Sequence, residues 1–382
     1  MISKNKNVSI VGDMCTACSA CIFSCPTEAI SLTVNDMSTR VVAVDENKCI
    51  NCAKCERVCP QLNETAKNSS SKVYAAWSKN DKYKSISSSG AIAPVFYEEI
   101  IASGGVVFGA VWKNGRVQIE STSVIEGVRD FCGSKYVESD ISQTFINIET
   151  AIKENREILF VGLPCQVAAV KRIFKSDKLY TIDLICHGTP PSEYLFKYLE
   201  SLGVEKNKNI SFRGKDDFVL NVYNNAGEIV YSKGQYVDPY FKAFLDATIY
   251  KNCCYSCKYA NPKRVSDITI GDFWGINEDT LINKPDGKIS LLMVNTERGA
   301  ELFDRVNDGI VGELRSLEEA VRYNRQLSCP SERNKERMKF EKNYKKGGFL
   351  FALNKMKSTK EIKNRNKFFT KVKNKVKAIL GG

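Results

Sequence analysis

The chain has 382 residues, 43% of them hydrophobic, and a formal net charge of +12. At ~100–200 residues per domain that length fits two or three units rather than one. No apolar run reaches the ~18 residues of a membrane span, and the polar stretch Met1–Asp13 lacks a signal-peptide core, so a cytoplasmic protein is expected.

The charge is uneven. Residues 331–382 carry 17 Lys and Arg against 4 Asp and Glu, a net of +13, which leaves −1 for the first 330 residues. The basic excess is a property of the C-terminal segment. The chain has 15 cysteines. A disulfide scaffold suits small secreted chains. In a long cytosolic chain, clustered cysteines more often bind metal or do redox work.

In chain order, the first feature is a repeat. Cys15-Cys18-Cys21-Cys25-Pro26 recurs 34 residues later as Cys49-Cys52-Cys55-Cys59-Pro60. Each copy is C-x2-C-x2-C-x3-C-P. Three closely spaced thiolates cap three irons of one cubane, and the fourth cysteine reaches the other cubane. The spacing therefore predicts two [4Fe–4S] clusters, one on Cys15, Cys18, Cys21 and Cys59, the other on Cys49, Cys52, Cys55 and Cys25. Zinc sites pair two short cysteine motifs and do not use eight cysteines in this order. β-rich runs at Ile30–Val34 and Val41–Val44 complete an α+β ferredoxin-type domain over residues 1–64. A polar linker is expected at 65–72.

From Val73 the pattern becomes α/β. Strands are expected at Val73–Trp77, Val106–Trp112, Ile158–Val161, Tyr180–Ile185, Ile268–Gly271 and Leu291–Asn295. Helices are expected at Ala91–Ala102, Phe145–Asn155, Gln166–Phe174, Tyr194–Leu202 and Arg298–Val306. Residues 158–185 read as a strand–helix–strand unit. This larger domain is placed at 73–330. Cys165 follows Pro164 at a strand-to-helix turn, where a helix N-terminus favours a thiolate. Cys186 ends the next strand, so both stand where α/β sheets place ligands. Cys253-Cys254-Tyr255-Ser256-Cys257 adds a C-x2-C pair. These cysteines fit either one more four-thiolate site or inert buried packing. His187, the single histidine, is more often a packed neighbour than an acid/base group or ligand. No G-x-G-x-x-G fingerprint stands in a suitable place, which argues against a nicotinamide domain. Residues 331–382 form a basic, partly helical tail, with Ile362, Phe369, Val372, Val376, Ile379 and Leu380 at helical spacing. That stripe suits an anionic membrane surface, an acidic partner, non-specific nucleic-acid contact or packing on the chain's own body. No specific nucleic acid is expected.

Residues from about Val73 to Pro330 resemble the beta-subunit family of coenzyme F420 hydrogenases and dehydrogenases. The blocks that carry the resemblance are Ser87-Ser88-Ser89-Gly90-Ala91, Gly133-Ser134-Lys135-Tyr136-Val137, Gly162-Leu163-Pro164-Cys165-Gln166, Ile185-Cys186-His187-Gly188-Thr189-Pro190, Phe212-Arg213-Gly214-Lys215, Cys254-Tyr255-Ser256-Cys257 and 266–275 (SDITIGDFWG). The resemblance implies an α/β flavin and iron–sulfur domain that holds FAD or another flavin. It also implies a third [4Fe–4S] cluster on Cys165, Cys186, Cys254 and Cys257, with Cys253 in reserve and Cys132 and Cys329 structural. Ser87, Ser88, Ser89 and Gly90, before a helix, would hold a flavin phosphate. Lys135, Arg213 and Lys215 would meet phosphate or substrate anions.

The expected function is an iron–sulfur flavoprotein oxidoreductase. Single electrons from a redox partner or donor would pass to a flavin for two-electron exchange with a deazaflavin or another acceptor. The alternatives are a non-catalytic electron-transfer or docking subunit, and a reductase of a cell-surface sugar precursor. The tail leaves open a peripheral attachment to an anionic membrane.

Overall fold

The computed structural model describes residues 7–205, 209–214 and 218–362. Lys215 and the stripe residues Phe369, Val372, Val376, Ile379 and Leu380 lie outside the described residues.

The N-terminal part is built on the repeat. Each cysteine loop runs into a short helix, α1 (Ala20–Phe23) and α2 (Lys54–Val58). Between them β1 (Ile30–Val34) and β2 (Arg40–Val44) pair antiparallel, with Ile30 opposite Val44. The Asn35 side chain closes this hairpin by accepting from the amides of Met37 and Thr39, each at 3.0 Å. Val8, Val11, Ile30 and Val42 form the core together with Cys15, Cys21, Cys55 and Cys59.

The later strands are β3 (Lys72–Ser78), β4 (Val106–Lys113), β5 (Arg116–Thr122), β6 (Ile158–Gly162), β7 (Leu179–Leu184), β8 (Ile210–Arg213), β9 (Phe218–Tyr223), β10 (Ile229–Gly234), β11 (Ile268–Asp272), β12 (Ser290–Val294) and β13 (Ile310–Arg315). The later helices are α3 (Ile92–Ala102), α4 (Val128–Phe131), α5 (Thr144–Lys153), α6 (Pro164–Ile173), α7 (Ser192–Ser201), α8 (Pro239–Leu245), α9 (Glu297–Val306), α10 (Leu317–Tyr323) and α11 (Lys335–Lys355). Eight strands make one mixed sheet in the order β13-β3-β12-β11-β7-β6-β4-β5. Its centre, β11-β7-β6-β4, is parallel. Alternate residues of the central strands serve two cores. Val107, Leu159 and Val161 pack with Phe96 of α3 and Leu302 of α9. Val106, Phe108, Ile158 and Phe160 pack with Phe145 of α5 and Val167 of α6. Burial on both faces explains why these strands are continuous apolar runs. The remaining strands, β10-β9-β8, form a separate antiparallel sheet.

Two expected boundaries fall inside packed structure. The stretch 65–72 is pinned rather than free: Asn68 and Arg264 exchange backbone hydrogen bonds of 2.7 and 2.8 Å, and Ser71 N–H donates to the Val294 carbonyl. Nor does a tail begin at 331. Phe340, Tyr344, Phe349 and Leu353 of α11 join the core of Tyr194, Tyr240 and Phe241. The Tyr344 hydroxyl also bonds Ser38 of the ferredoxin hairpin at 2.6 Å. Apolar side chains at helical spacing outweigh the cations between them, which are left on the exposed face.

The two domains are closely joined. Cys18 and Ala20 pack with Phe145, Val167 and Tyr259, and Phe23 stacks on Phe145 at 5.5 Å. Arg40 of β2 pairs with Glu138 at 3.3 Å and Asp140 at 3.1 Å. No described helix is long and apolar enough to cross a membrane.

Candidate metal and cofactor centre

The two ferredoxin loops share one backbone device. Ala17 and Ser19 have positive φ of 59° and 61°, and Asn51 and Ala53, each 34 residues on, have 54° and 55°. Four non-glycine residues in the left-handed region cost energy that each loop must recover elsewhere. The conformation turns each loop around a hollow and points amides inward. Ala17 N–H donates to Cys15 Sγ and Ala29 N–H to Cys25 Sγ, both at 3.3 Å.

The loops also exchange their fourth cysteines. Cys25, Cys49, Cys52 and Cys55 line one small cavity. Burial, and then the charges of Cys15 and Cys59 among others, push the Cys18 thiol up to about 11. Burial followed by Cys18, Cys15 and Cys59 raises Cys21 as well. The structure thus gathers Cys15, Cys18, Cys21 and Cys59 as one set and the other four as a second. The first is buried against the large domain. Cys25, Cys49 and Cys52 of the second are half-buried.

A third cysteine set stands at the carboxyl ends of β6 and β7. Pro164 opens α6 directly after β6. The Gln166 side chain accepts from the Leu163 amide at 2.9 Å and donates to Ser139 at 2.8 Å, which fixes the turn that carries Cys165. Cys186 follows β7. The loop before β11 brings Cys253, Cys254 and Cys257. All five line one cavity. Arg264, 2% exposed, ties its parts together. It bonds Asp183 of β7 at 2.9 Å and the carbonyls of Tyr259 and Asn261 at 2.8 and 3.2 Å.

Electrostatics make this a cation-seeking site. Cys165 is raised first by burial and then by Cys186 and Cys257. Cys186 is pushed up to about 12 by burial, Cys254 and Cys257. Such thiols cannot all ionise together without positive charge beside them. Cys254 is the exception. Its thiolate is favoured, first by a hydrogen bond from the Cys253 thiol and against the cost of burial. Among the described residues, no three His, Cys, Asp or Glu side chains converge tightly enough for a single metal ion.

Beside this set lies a cavity of about 470 Å³ at the carboxyl ends of β6, β7 and β11. Leu163, Gln166, Cys186, His187, Gly188, Thr189 and Ser139 line both cavities, so the two share a wall. His187 is enclosed by the fold, yet its side chain is open to this space. The N-terminus of α3 also faces it: Ala91, Ile92, Ala93 and Pro94 line the cavity, and no side chain caps the helix.

Ser87, Ser88 and Ser89 line this cavity too. Gly90 does not. Its amide donates to Ser290 Oγ at 2.9 Å, its carbonyl accepts from Ser78, and a Cβ there would stand 2.5 Å from the Ala76 carbonyl. Gly90 thus serves close packing of the loop on the sheet. Lys135 and Arg213 are on the wall but engaged. Lys135 Nζ donates to the carbonyls of Asp130, Phe131 and Cys132 at 2.9–3.2 Å, capping the end of α4. Burial pulls its pKa down to about 8. Arg213 pairs with Asp272 and lies 3.7 Å over the Phe218 ring. Lys251, Glu138, Arg264 and Tyr259 were not picked out by sequence reasoning. Their one signal was nearness of Lys251 and Tyr259 to the C-C-Y-S-C run.

The N-terminal cysteine loops define an iron–sulfur protein, and residues 14–63 match the family model of the 4Fe-4S dicluster domain. Residues 155–320 match the family model for the C terminus of the coenzyme F420 hydrogenase/dehydrogenase beta subunit. By that domain the chain belongs to the coenzyme F420 hydrogenase/dehydrogenase beta-subunit family, with a dicluster ferredoxin domain at its N-terminus. Among solved structures, the xenon-derivatised F420-reducing [NiFe] hydrogenase complex from Methanosarcina barkeri aligns with 74% of this chain and 94% of its own, at 18% identity and a TM-score of 0.46. No curated protein matches in sequence.

Proposed function

We propose that this chain is an iron–sulfur flavoprotein oxidoreductase that relays electrons between a redox partner and a two-electron acceptor such as a deazaflavin. One observation carries the reading. The five-cysteine cavity and the cavity of about 470 Å³ share a wall that includes Cys186. When bound, cubanes supply one-electron steps and a flavin converts between one and two electrons. Cys15, Cys18, Cys21 and Cys59 would hold the inner ferredoxin cluster, and Cys25, Cys49, Cys52 and Cys55 the outer one. Cys165, Cys186, Cys254 and Cys257 would hold the third. The mutual repulsion of those buried thiols supports a cationic iron core there. The uncapped start of α3, with Ser87–Ser89 beside it, suits a flavin phosphate, because free helix N–H groups and the helix dipole favour an anion. Arg213 would position an acceptor's anionic part rather than the flavin phosphate, since it lies across the cavity wall over Phe218.

The test is anaerobic purification followed by iron, sulfide and flavin assays. About twelve irons per chain, four for each of three cubanes, with one flavin and turnover of an artificial acceptor, would support the reading. About eight irons and no flavin would leave a simple electron carrier.

The segment after Ile362 holds seven Lys and Arg and no Asp or Glu. That charge supports a reversible attachment to anionic lipid, at ~1 kcal/mol per cation near the surface and weaker in salt. A chain ended after Ile362 should no longer sediment with anionic vesicles at low salt. Equal sedimentation of the two chains would end this part of the proposal.

A further inference from the structure

The inner ferredoxin set and the third cysteine set meet at two residues. Tyr259 is 5% exposed, and its hydroxyl has no hydrogen-bond partner among the described residues. Burial and then four thiolates raise its pKa, in the order Cys165, Cys18, Cys257 and Cys59. Two belong to each set, so the ring stands between them. Lys251 reaches the same junction. Its Nζ donates at 3.1 Å to the carbonyl of Thr16, in the loop between Cys15 and Cys18. Its charge acts on Cys254 and Cys165 of the third set. Thr16, Lys251 and Tyr259 all line the five-cysteine cavity.

Lys251 is 6% exposed and its counter-ion Glu138 is 2% exposed, with 3.2 Å between them. Glu138 also pairs with Arg40 of the ferredoxin hairpin. Burial opposes both charges, but the pairing wins: the Lys251 pKa is raised and the Glu138 pKa lowered. A buried ammonium and a buried, unpaired hydroxyl are costly features unless something nearby needs them. Reduction of a cubane adds one negative charge. A neighbouring cation and an O–H donor stabilise the reduced form and raise its potential, whereas a carboxylate lowers it.

We propose that Lys251 and Tyr259 are positioning residues at the junction of the two cysteine sets, and that they raise the reduction potential at the third set, with Glu138 acting in the opposite sense. This rests on the reading of the third set as a cluster site. The pair would make electron passage from the inner ferredoxin set to the third set more favourable, through charge and hydrogen bonding alone.

The experiment is a redox titration of the purified holoprotein, followed by electron paramagnetic resonance, with iron content measured on each sample. Lys251→Met should disfavour reduction at the third set about tenfold, a fall of about 59 mV for a one-electron couple. Tyr259→Phe should lower it less, and Glu138→Gln should raise it. The outer ferredoxin signal should stay put in all three. Unmoved third-set potentials in both Lys251→Met and Tyr259→Phe, at full iron, would overturn the inference. So would a shift of the same sign in Glu138→Gln and Lys251→Met. If Lys251→Met loses iron, Tyr259→Phe, which deletes one oxygen, decides. Wild-type protein with about eight irons and two signals would overturn the third-set reading and the inference with it. About twelve irons with unmoved potentials would overturn the inference alone.

Discussion

The ferredoxin loops and the third cysteine set gather thiols in opposite ways. The eight N-terminal cysteines lie between positions 15 and 59, and local backbone does the gathering: paired left-handed residues 34 positions apart wrap each loop around its own hollow. The third set spans positions 165 to 257 and is assembled by the parallel order of β6, β7 and β11. A locally built site carries its geometry in its own few residues. A site built by topology depends on whatever holds the strands and the intervening loop together.

The largest effect should come from removing ligands themselves. Cys186→Ser should cost about four of about twelve irons and leave the ferredoxin signals intact, since nothing in the N-terminal loops depends on β7. Cys18→Ser should reach further. Cys18 belongs both to the inner set and to the core shared with Phe145 and Val167, so that variant should lose iron and also unfold at lower denaturant. Loss of every cluster in Cys186→Ser would break the contrast between the two regions.

Arg264→Met sharpens it. Arg264 joins β7, through Asp183, to the loop that follows Cys257. Its removal leaves Asp183, fully buried, without its cation. Breaking such a pair typically costs about 3–5 kcal/mol. A lower urea midpoint, with iron lost from the third set and both ferredoxin signals kept, is the expected result. No single residue of the N-terminal loops should show the same pattern.

Phe340→Ala probes the segment whose composition suggested a tail. Phe340 is fully buried and touches Tyr194 and Phe349. The expected loss is about 3–5 kcal/mol. A chain ended at Pro330 should be worse still, and one ended after Ile362 should melt like the full chain. A stable, iron-replete chain ended at Pro330 would restore the expected boundary.

These contrasts also separate what could be read in the sequence from what could not. The cysteine loops were legible because an eight-cysteine repeat has few other uses. The central strands were legible because burial on both faces makes continuous apolar runs, as in β6. The β8–β10 sheet was not, since β10 leaves Ile229 and Val230 exposed and shows no clear alternation. Helix α11 was hidden by its lysines, although Phe340, Tyr344 and Phe349 face inward. The junction was hidden for another reason. Lys251 finds Thr16 235 positions away and Glu138 113 positions away, and only the fold brings such groups together.

The smallest effect should come from Cys253→Ser, and it is the finest test of how the third set is built. Cys253 and Cys254 are adjacent, both near the same cavity, and spacing alone cannot choose between them. The structure separates them by chemistry. The Cys253 thiol is the donor in their hydrogen bond, which raises its own pKa and lowers that of Cys254. A group held as the acid in that pair suits a neighbour that supports a ligand better than the ligand itself, because iron binds the thiolate. Serine keeps a donor at that position with little change in volume, so iron content should hold and the unfolding midpoint should move by about 1 kcal/mol or less. Cys254→Ser should remove about four irons under the same conditions. If iron falls with Cys253→Ser and stays with Cys254→Ser, the two residues exchange roles. The loop would then present its thiolates one position earlier, next to Lys251, and the C-x2-C spacing to Cys257 would no longer define the site.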